Sequence, residues 1–268
     1  MSTLNTERTG QGRPLVLVHG LGSSLRTWDT VVPALSAHRE VVAVDLPGFG
    51  ASAPLTGEVG IATLTDALER FLREEGLEDA DVVGSSMGAR MVVELARRGH
   101  RGAAVALDPG GFWDDRQLRV FDASITASIA LVRRLKPALP FLSRHAVGRT
   151  LLLSQFSAKP WRLDPDVVLT ELLGYTTSAS LDEARRSLVH GPKQAGADGA
   201  TAGRLALVWG SRDLVTPPSQ AGRATELYPH ATLRWIEDCG HFPHWDQPDE
   251  TARFILDFTD AADSTDAA

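Results

Sequence analysis

The chain has 268 residues, 43% of them hydrophobic, which allows one or two compact domains and a sizeable core. A formal net charge of −7 argues against a nucleic-acid partner, whose phosphates need a basic face. One cysteine (Cys239) excludes an internal disulfide, the polar start MSTLNTERTGQGR has no signal-peptide core, and no apolar run nears the ~20 residues of a membrane span.

A soluble, cytoplasmic protein with neither a membrane nor a nucleic-acid partner is therefore the expectation. Apolar runs bounded by turn residues recur at 14–20 (PLVLVHG), 41–50 (VVAVDLPGFG), 81–86 (DVVGSS) and 103–111 (AAVALDPGG). Each is short and nearly continuous, the pattern of strands buried on both faces of a parallel sheet. Between them, Leu64, Leu68, Phe71 and Leu72 form one helical stripe that stops at Gly76, and 87–99 form another that stops at Gly99. Such alternation predicts a doubly wound α/β fold. After Gly111 the pattern breaks: 112–191 show helical stretches punctuated by Pro137, Pro140, Pro160 and Pro165, and no strand. Ser180 and Glu183 stand at capping-box spacing, which predicts a helix start there. A Gly/Ala-rich return at 191–203 leads back to strand, helix (221–227), strand and a last helix from Pro248. The expected organisation is a core of 1–111 and 192–268 interrupted by a helical unit over 112–191, with a small, polar, fraying tail.

At 81–93, DVVGSSMGARMVV reads strand, sharp turn, helix, with G-x-S-x-G at the turn. Only one register fits: Gly84, Ser86 and Gly88 occupy the pattern, whereas centring on Ser85 would need glycine at Val83 and Met87. A nucleophile standing clear of a sheet sits on strained backbone, so the positions two either side cannot carry bulky side chains. A five-residue match also arises by chance; the strand-to-helix context is what favours Ser86. The helix behind it offers free N–H groups to a developing anion, Met87 first.

A serine hydroxyl needs a base, and the base needs a carboxylate to orient it. Of eight histidines, His241 lies between a strand, a glycine and the last helix in EDCGHFPHWDQP, with His244 the runner-up. Asp213, just past the strand LALVWGSRD, is the preferred acid, because sites assemble at carboxyl strand ends. Asp108, at the end of ALDPGG, is the alternative, and turn capping is an ordinary role for either. The order Ser86, Asp213, His241 is the Ser…Asp…His order of α/β-hydrolases. A second oxyanion donor is expected from HGLGSS, at Leu21 N–H, with His19 and Gly20 shaping the loop.

The motifs HGLGSS, DLPGFGAS, GSSMGA, GSRDLVTP and CGHFPHWDQP, in this order over nearly the whole chain, resemble the α/β-hydrolase superfamily. The resemblance implies a mainly parallel sheet of eight strands and a helical cap, which 112–191 fit. It departs at the start, where only about a dozen residues precede Pro14, little room for the usual antiparallel pair of strands. Ser86 sets the chain apart from haloalkane dehalogenases and epoxide hydrolases, which use aspartate at the elbow; the cap also offers only Tyr175 where epoxide hydrolases present a tyrosine pair. Meta-cleavage C–C hydrolases are more similar, but carry asparagine before the nucleophile and tryptophan after the histidine, where this chain has Ser85 and Phe242. The implied activity is hydrolysis of small apolar carboxylic esters through an acyl-enzyme, with no cofactor and no metal. Lactones, thioesters or a C–C bond are alternative substrates, and ligand binding without turnover is the alternative class. Trp113, Phe121, Trp161 and Phe242 are the candidate pocket residues, with Phe141 and Phe156 as further apolar side chains of the cap.

Overall fold

Alternating valine, leucine and alanine place apolar side chains on both faces of one sheet, which the computed structural model describes for residues 4–197 and 199–260. Its strands are β1 (Thr6–Thr9), β2 (Pro14–Val18), β3 (Glu40–Val44), β4 (Asp81–Ser85), β5 (Ala104–Leu107), β6 (Leu205–Gly210) and β7 (Thr232–Ile236), in the order β1-β3-β2-β4-β5-β6-β7. Only β1 runs antiparallel, pairing Thr6 with Val44. Seven strands among the described residues correct the eight that the resemblance implied; one four-residue edge strand, β1, precedes Pro14 among them.

Within β2, Leu15 and Leu17 point to one layer and Val16 and Val18 to the other, all four fully buried. Burying each such side chain contributes about 1.5–3 kcal/mol. In chain order the helices are α1 (Val32–Ser36), α2 (Ile61–Glu74), α3 (Met87–Arg97), α4 (Asp115–Arg134), α5 (Leu139–Arg144), α6 (Ala146–Leu153), α7 (Pro165–Thr177), α8 (Leu181–His190), α9 (Gln220–Leu227), α10 (Pro243–Asp246) and α11 (Pro248–Asp260). Leu35 of α1 and Ile255 of α11 cover the Leu15–Leu17 face; α2, α3, α9 and the inserted helices cover the other. The predicted stripe on α2 is buried, and α2 and α3 stop just before Gly76 and Gly99.

Between β5 and β6 the described chain is helical. Here α4 opens on a reciprocal cap, Gln117 N–H to Asp114 Oδ1 at 2.8 Å and Asp114 N–H to Gln117 Oε1 at 2.9 Å, worth about 1 kcal/mol. The capping box expected at Ser180 does not form, although α8 does begin there. Ser180 N–H instead donates to Gly48 O at 3.2 Å, and its backbone (φ −90°, ψ 0°) lacks the extended shape that a capping side chain needs. Phe141, expected as an apolar side chain of the cap, and Trp161, a candidate pocket residue, are 66% and 50% exposed.

Candidate active site

The chain leaves β2 toward β3 on one side and crosses to β4 on the other, so a crevice opens at the carboxyl ends of β2 and β4. Ser86 stands at that point with φ 56° and ψ −110°, strained backbone that costs of order 1–3 kcal/mol and lifts the side chain out of the sheet. The flanking glycines have a steric cause. A Cβ on Gly84 would lie 2.3 Å from Gly88 O, and one on Gly88 would lie 2.3 Å from Val18 O. Ser85 points away, 1% exposed, and its hydroxyl has no partner among the described residues. Ser85→Ala should therefore keep most activity, since losing an unpaired buried hydroxyl is nearly neutral; a kinetic loss as deep as that of Ser86→Ala would show that the wrong serine has been chosen.

His241 follows β7, anchored by its N–H to Phe156 O at 2.7 Å. Its Nε2 lies 2.8 Å from Ser86 Oγ and its Nδ1 2.9 Å from Asp213 Oδ2. An Nδ1–H donating to the carboxylate leaves Nε2 free to accept the serine proton. Asp213 serves two roles at once. Its Oδ1 caps the turn after β6, accepting from Val215 N–H at 2.7 Å and Thr216 N–H at 3.1 Å, while Oδ2 takes the imidazole and the Thr216 hydroxyl at 2.6 Å. Burial works to raise its pKa, but a charged His241 and the hydrogen bonds outweigh that and hold it below the usual carboxylate range. Thr216 was missed by sequence reasoning; its signal is an Asp followed three residues later by Thr, an Asx turn with a hydroxyl to spare.

Asp108 does not reach His241 as a hydrogen-bond partner. Its Oδ1 accepts from Gly210 N–H at 2.9 Å, and burial, reinforced by the Asp213 charge, raises its pKa well above the usual range. His244 is turned away: Nε2 lies 3.0 Å from Thr27 Oγ1, the ring packs on Trp28 with centroids 4.5 Å apart, and burial plus the nearby His241 lower its pKa to about 3. Asp108, Asp213 and His241 offer ligand atoms within 4.8 Å of one another, a grouping that residue spacing alone did not suggest. In this cluster the His241 Nδ1 faces Asp213 Oδ2 at 2.9 Å, and Asp213 Oδ1 accepts from Val215 N–H at 2.7 Å.

The loop after β2 closes the other side. His19 Nδ1–H donates to Gly20 O at 2.7 Å and Nε2 accepts from Leu46 N–H at 2.9 Å, and burial favours the neutral ring. That pins Gly20 so near the elbow that a Cβ on it would lie 3.2 Å from Ser86 Cβ. Leu21 follows directly, and Met87 opens α3; among the described residues neither N–H has a protein acceptor.

Of the four expected pocket side chains, only Phe242 borders a partly open cavity of ≈130 Å³, with Phe156, Glu171, Leu172, Tyr175 and Trp245. Trp113 and Phe121 are buried against each other, centroids 4.8 Å apart, and Trp161 faces solvent. Glu171 is the charged-type group that sequence reasoning overlooked: it sits on α7, accepts from Ser23 Oγ at 3.0 Å, and burial pushes its pKa up to about 8. It ties the inserted helices to the loop after β2. Neither this cavity nor a larger open cleft of ≈690 Å³ between α2 and α8 is lined by Ser86, Asp213 or His241; Phe242, next to His241 in the chain, is what brings the smaller one near them. No helix among the described residues is long and apolar enough to cross a membrane.

Comparisons with known proteins agree with this architecture. The chain is 32% identical over 249 residues to the dihydrolipoyllysine-residue acetyltransferase component of the acetoin cleaving system of Cupriavidus necator, covering 91% of this chain and 63% of that protein's length. It is 26% identical to 2-hydroxy-6-oxo-2,4-heptadienoate hydrolase of Pseudomonas putida, over 97% of this chain and 93% of the relative. A thermophilic esterase from Thermogutta terrifontis superposes with a TM-score of 0.74 at 21% identity, covering 95% of this chain and 92% of the esterase. The profile of the alpha/beta hydrolase family matches residues 15–254, and the chain belongs to that family.

Proposed function

We propose that this hydrolase acts on small apolar carboxylic esters through an acyl-enzyme on Ser86. The observation that carries the reading is the unbroken series Ser86 Oγ, His241 Nε2, His241 Nδ1, Asp213 Oδ2, with links of 2.8 and 2.9 Å. In this reading His241 takes the hydroxyl proton as Ser86 attacks the carbonyl, and Asp213 holds the imidazole and stabilises its charged form. The Leu21 and Met87 N–H groups receive the oxyanion; one such donor contributes about 2.7–4 kcal/mol to the transition state. His241 then gives its proton to the leaving alkoxide. A water deprotonated by the same ring attacks the acyl carbonyl, the acyl–Oγ bond breaks to release the acid, and His241 returns the proton to Ser86 Oγ. Helices over 112–191 act as a cap, held on the site by the Ser23–Glu171 contact. A cavity of ≈130 Å³ beside Phe242 suits a short apolar arm, being smaller than the roughly 300–1,000 Å³ clefts that take drug-sized ligands.

A C–C bond hydrolase is the second reading, favoured by the relative named for 2-hydroxy-6-oxo-2,4-heptadienoate. A panel of p-nitrophenyl esters of rising acyl length, run beside lactones, thioesters and that dienoate, separates the two. Short-chain esters should be cleaved fastest. Turnover of the dienoate with no ester cleavage would replace the ester reading by the C–C one.

A further inference from the structure

Asp108 lies one residue beyond β5 on left-handed backbone (φ 48°), its N–H held by Val208 O at 2.8 Å. That sets a second, wholly buried carboxyl behind the candidate triad, with an oxygen within 4.8 Å of both an Asp213 oxygen and a His241 ring nitrogen. The two carboxyls are unequally served. Asp213 receives four donors, from Val215 N–H, Thr216 N–H, the Thr216 hydroxyl and the His241 ring. Asp108 receives one, Gly210 N–H on Oδ1, and its buried Oδ2 has no donor among the described residues.

Two carboxylates sharing one dry site cannot both ionise, so the pair holds a proton. The carboxyl with four donors keeps the charge, and the oxygen without one is where the proton belongs. The other neighbours do not reverse this balance. Asp246, a carboxyl held by Ser157 Oγ–H, Ala158 N–H and Gly240 N–H, adds its charge to the raising of the Asp108 pKa and so acts in the same direction. Burial keeps Cys239 a thiol and His244 uncharged, and Lys159 makes no ion pair with either carboxyl among the described residues.

We propose that Asp108 is a positioning residue that donates from a protonated Oδ2 to Asp213. The donation disperses the Asp213 charge, weakens its pull on the imidazolium proton and so leaves His241 a free base down to lower pH. It rests on the reading of Ser86, His241 and Asp213 as the reacting set, but the protonation of Asp108 can be measured without turnover.

The infrared difference spectrum at neutral pH between the wild type and Asp108→Asn should contain the carbonyl stretch of a protonated carboxyl. Carboxylate bands in its place would overturn the proposal whatever the enzyme hydrolyses. The second arm is the pH profile of Ser86 labelling by a fluorophosphonate. Asp108→Asn keeps an N–H donor and should leave the acid limb in place. Asp108→Ala loses the donor and should move the limb up by about half a pH unit or more, what one hydrogen bond to a carboxylate is worth. A fall of about one unit or more in Asp108→Asn would mean that the native group is an anion. An unmoved limb in Asp108→Ala, with only a lower melting temperature, would mean that Asp108 is structural; either result sinks the proposal.

Discussion

Ser86→Ala is expected to lower kcat for a short-chain p-nitrophenyl ester by about 10⁶-fold, the scale on which loss of the nucleophile acts in serine proteases. The fold should survive. The side chain makes one hydrogen bond, to His241, while the elbow is held by backbone: Ser86 N–H to Leu107 O at 2.9 Å and Arg90 N–H to Ser86 O at 3.0 Å. A circular-dichroism spectrum and melting temperature near those of the wild type would show that chemistry alone has been removed. KM should change little, since the hydroxyl enters the reaction rather than ground-state binding. Retention of more than a few per cent of wild-type kcat would require a different nucleophile.

Asp213→Asn is the next largest expected effect, a fall in kcat of about 10⁴-fold. Asn can still cap the turn through its carbonyl, so Val215 and Thr216 N–H keep an acceptor and the loop after β6 stays in place. What changes is the group facing the imidazole: an amide N–H beside Nδ1 forces the proton to Nε2, and the ring can no longer accept from Ser86. Loss of the anion also removes the stabilisation of the imidazolium formed in the transition state. Stopped-flow or steady-state kinetics on the same ester measures this directly. If Asp108→Asn produced the 10⁴-fold loss and Asp213→Asn did not, the two aspartates would have exchanged roles.

Much of this arrangement is legible in the residues because it is local. The elbow needs small residues on both sides of one serine, so Gly84, Ser86 and Gly88 announce themselves in five positions; the reason is steric, with carbonyls of Gly88 and Val18 where any Cβ would be. The central strands read well because burial on both faces demands unbroken apolar runs. Asp213 was ambiguous for a physical cause: turn capping and imidazole orientation use different oxygens of the same carboxylate, and here it does both. What long-range packing decides was not legible. Residue type alone does not say which aromatics face a pocket: Trp113 and Phe121 pair with each other and Trp161 faces water. Glu171 meets Ser23 only because α7 crosses the loop after β2, 148 residues away along the chain. The absent cap at Ser180 has the same origin, a contact to Gly48 that outbids a local hydrogen bond.

Covalent labelling of Ser86 tests the central claim most directly. The intact protein, treated with a fluorophosphonate, digested and mapped by mass spectrometry, should carry one adduct on the peptide containing Ser86. The adduct should be absent in Ser86→Ala and form far more slowly in His241→Ala. An unlabelled wild type, or an adduct formed equally well without His241, would contradict the activation of this serine by that histidine.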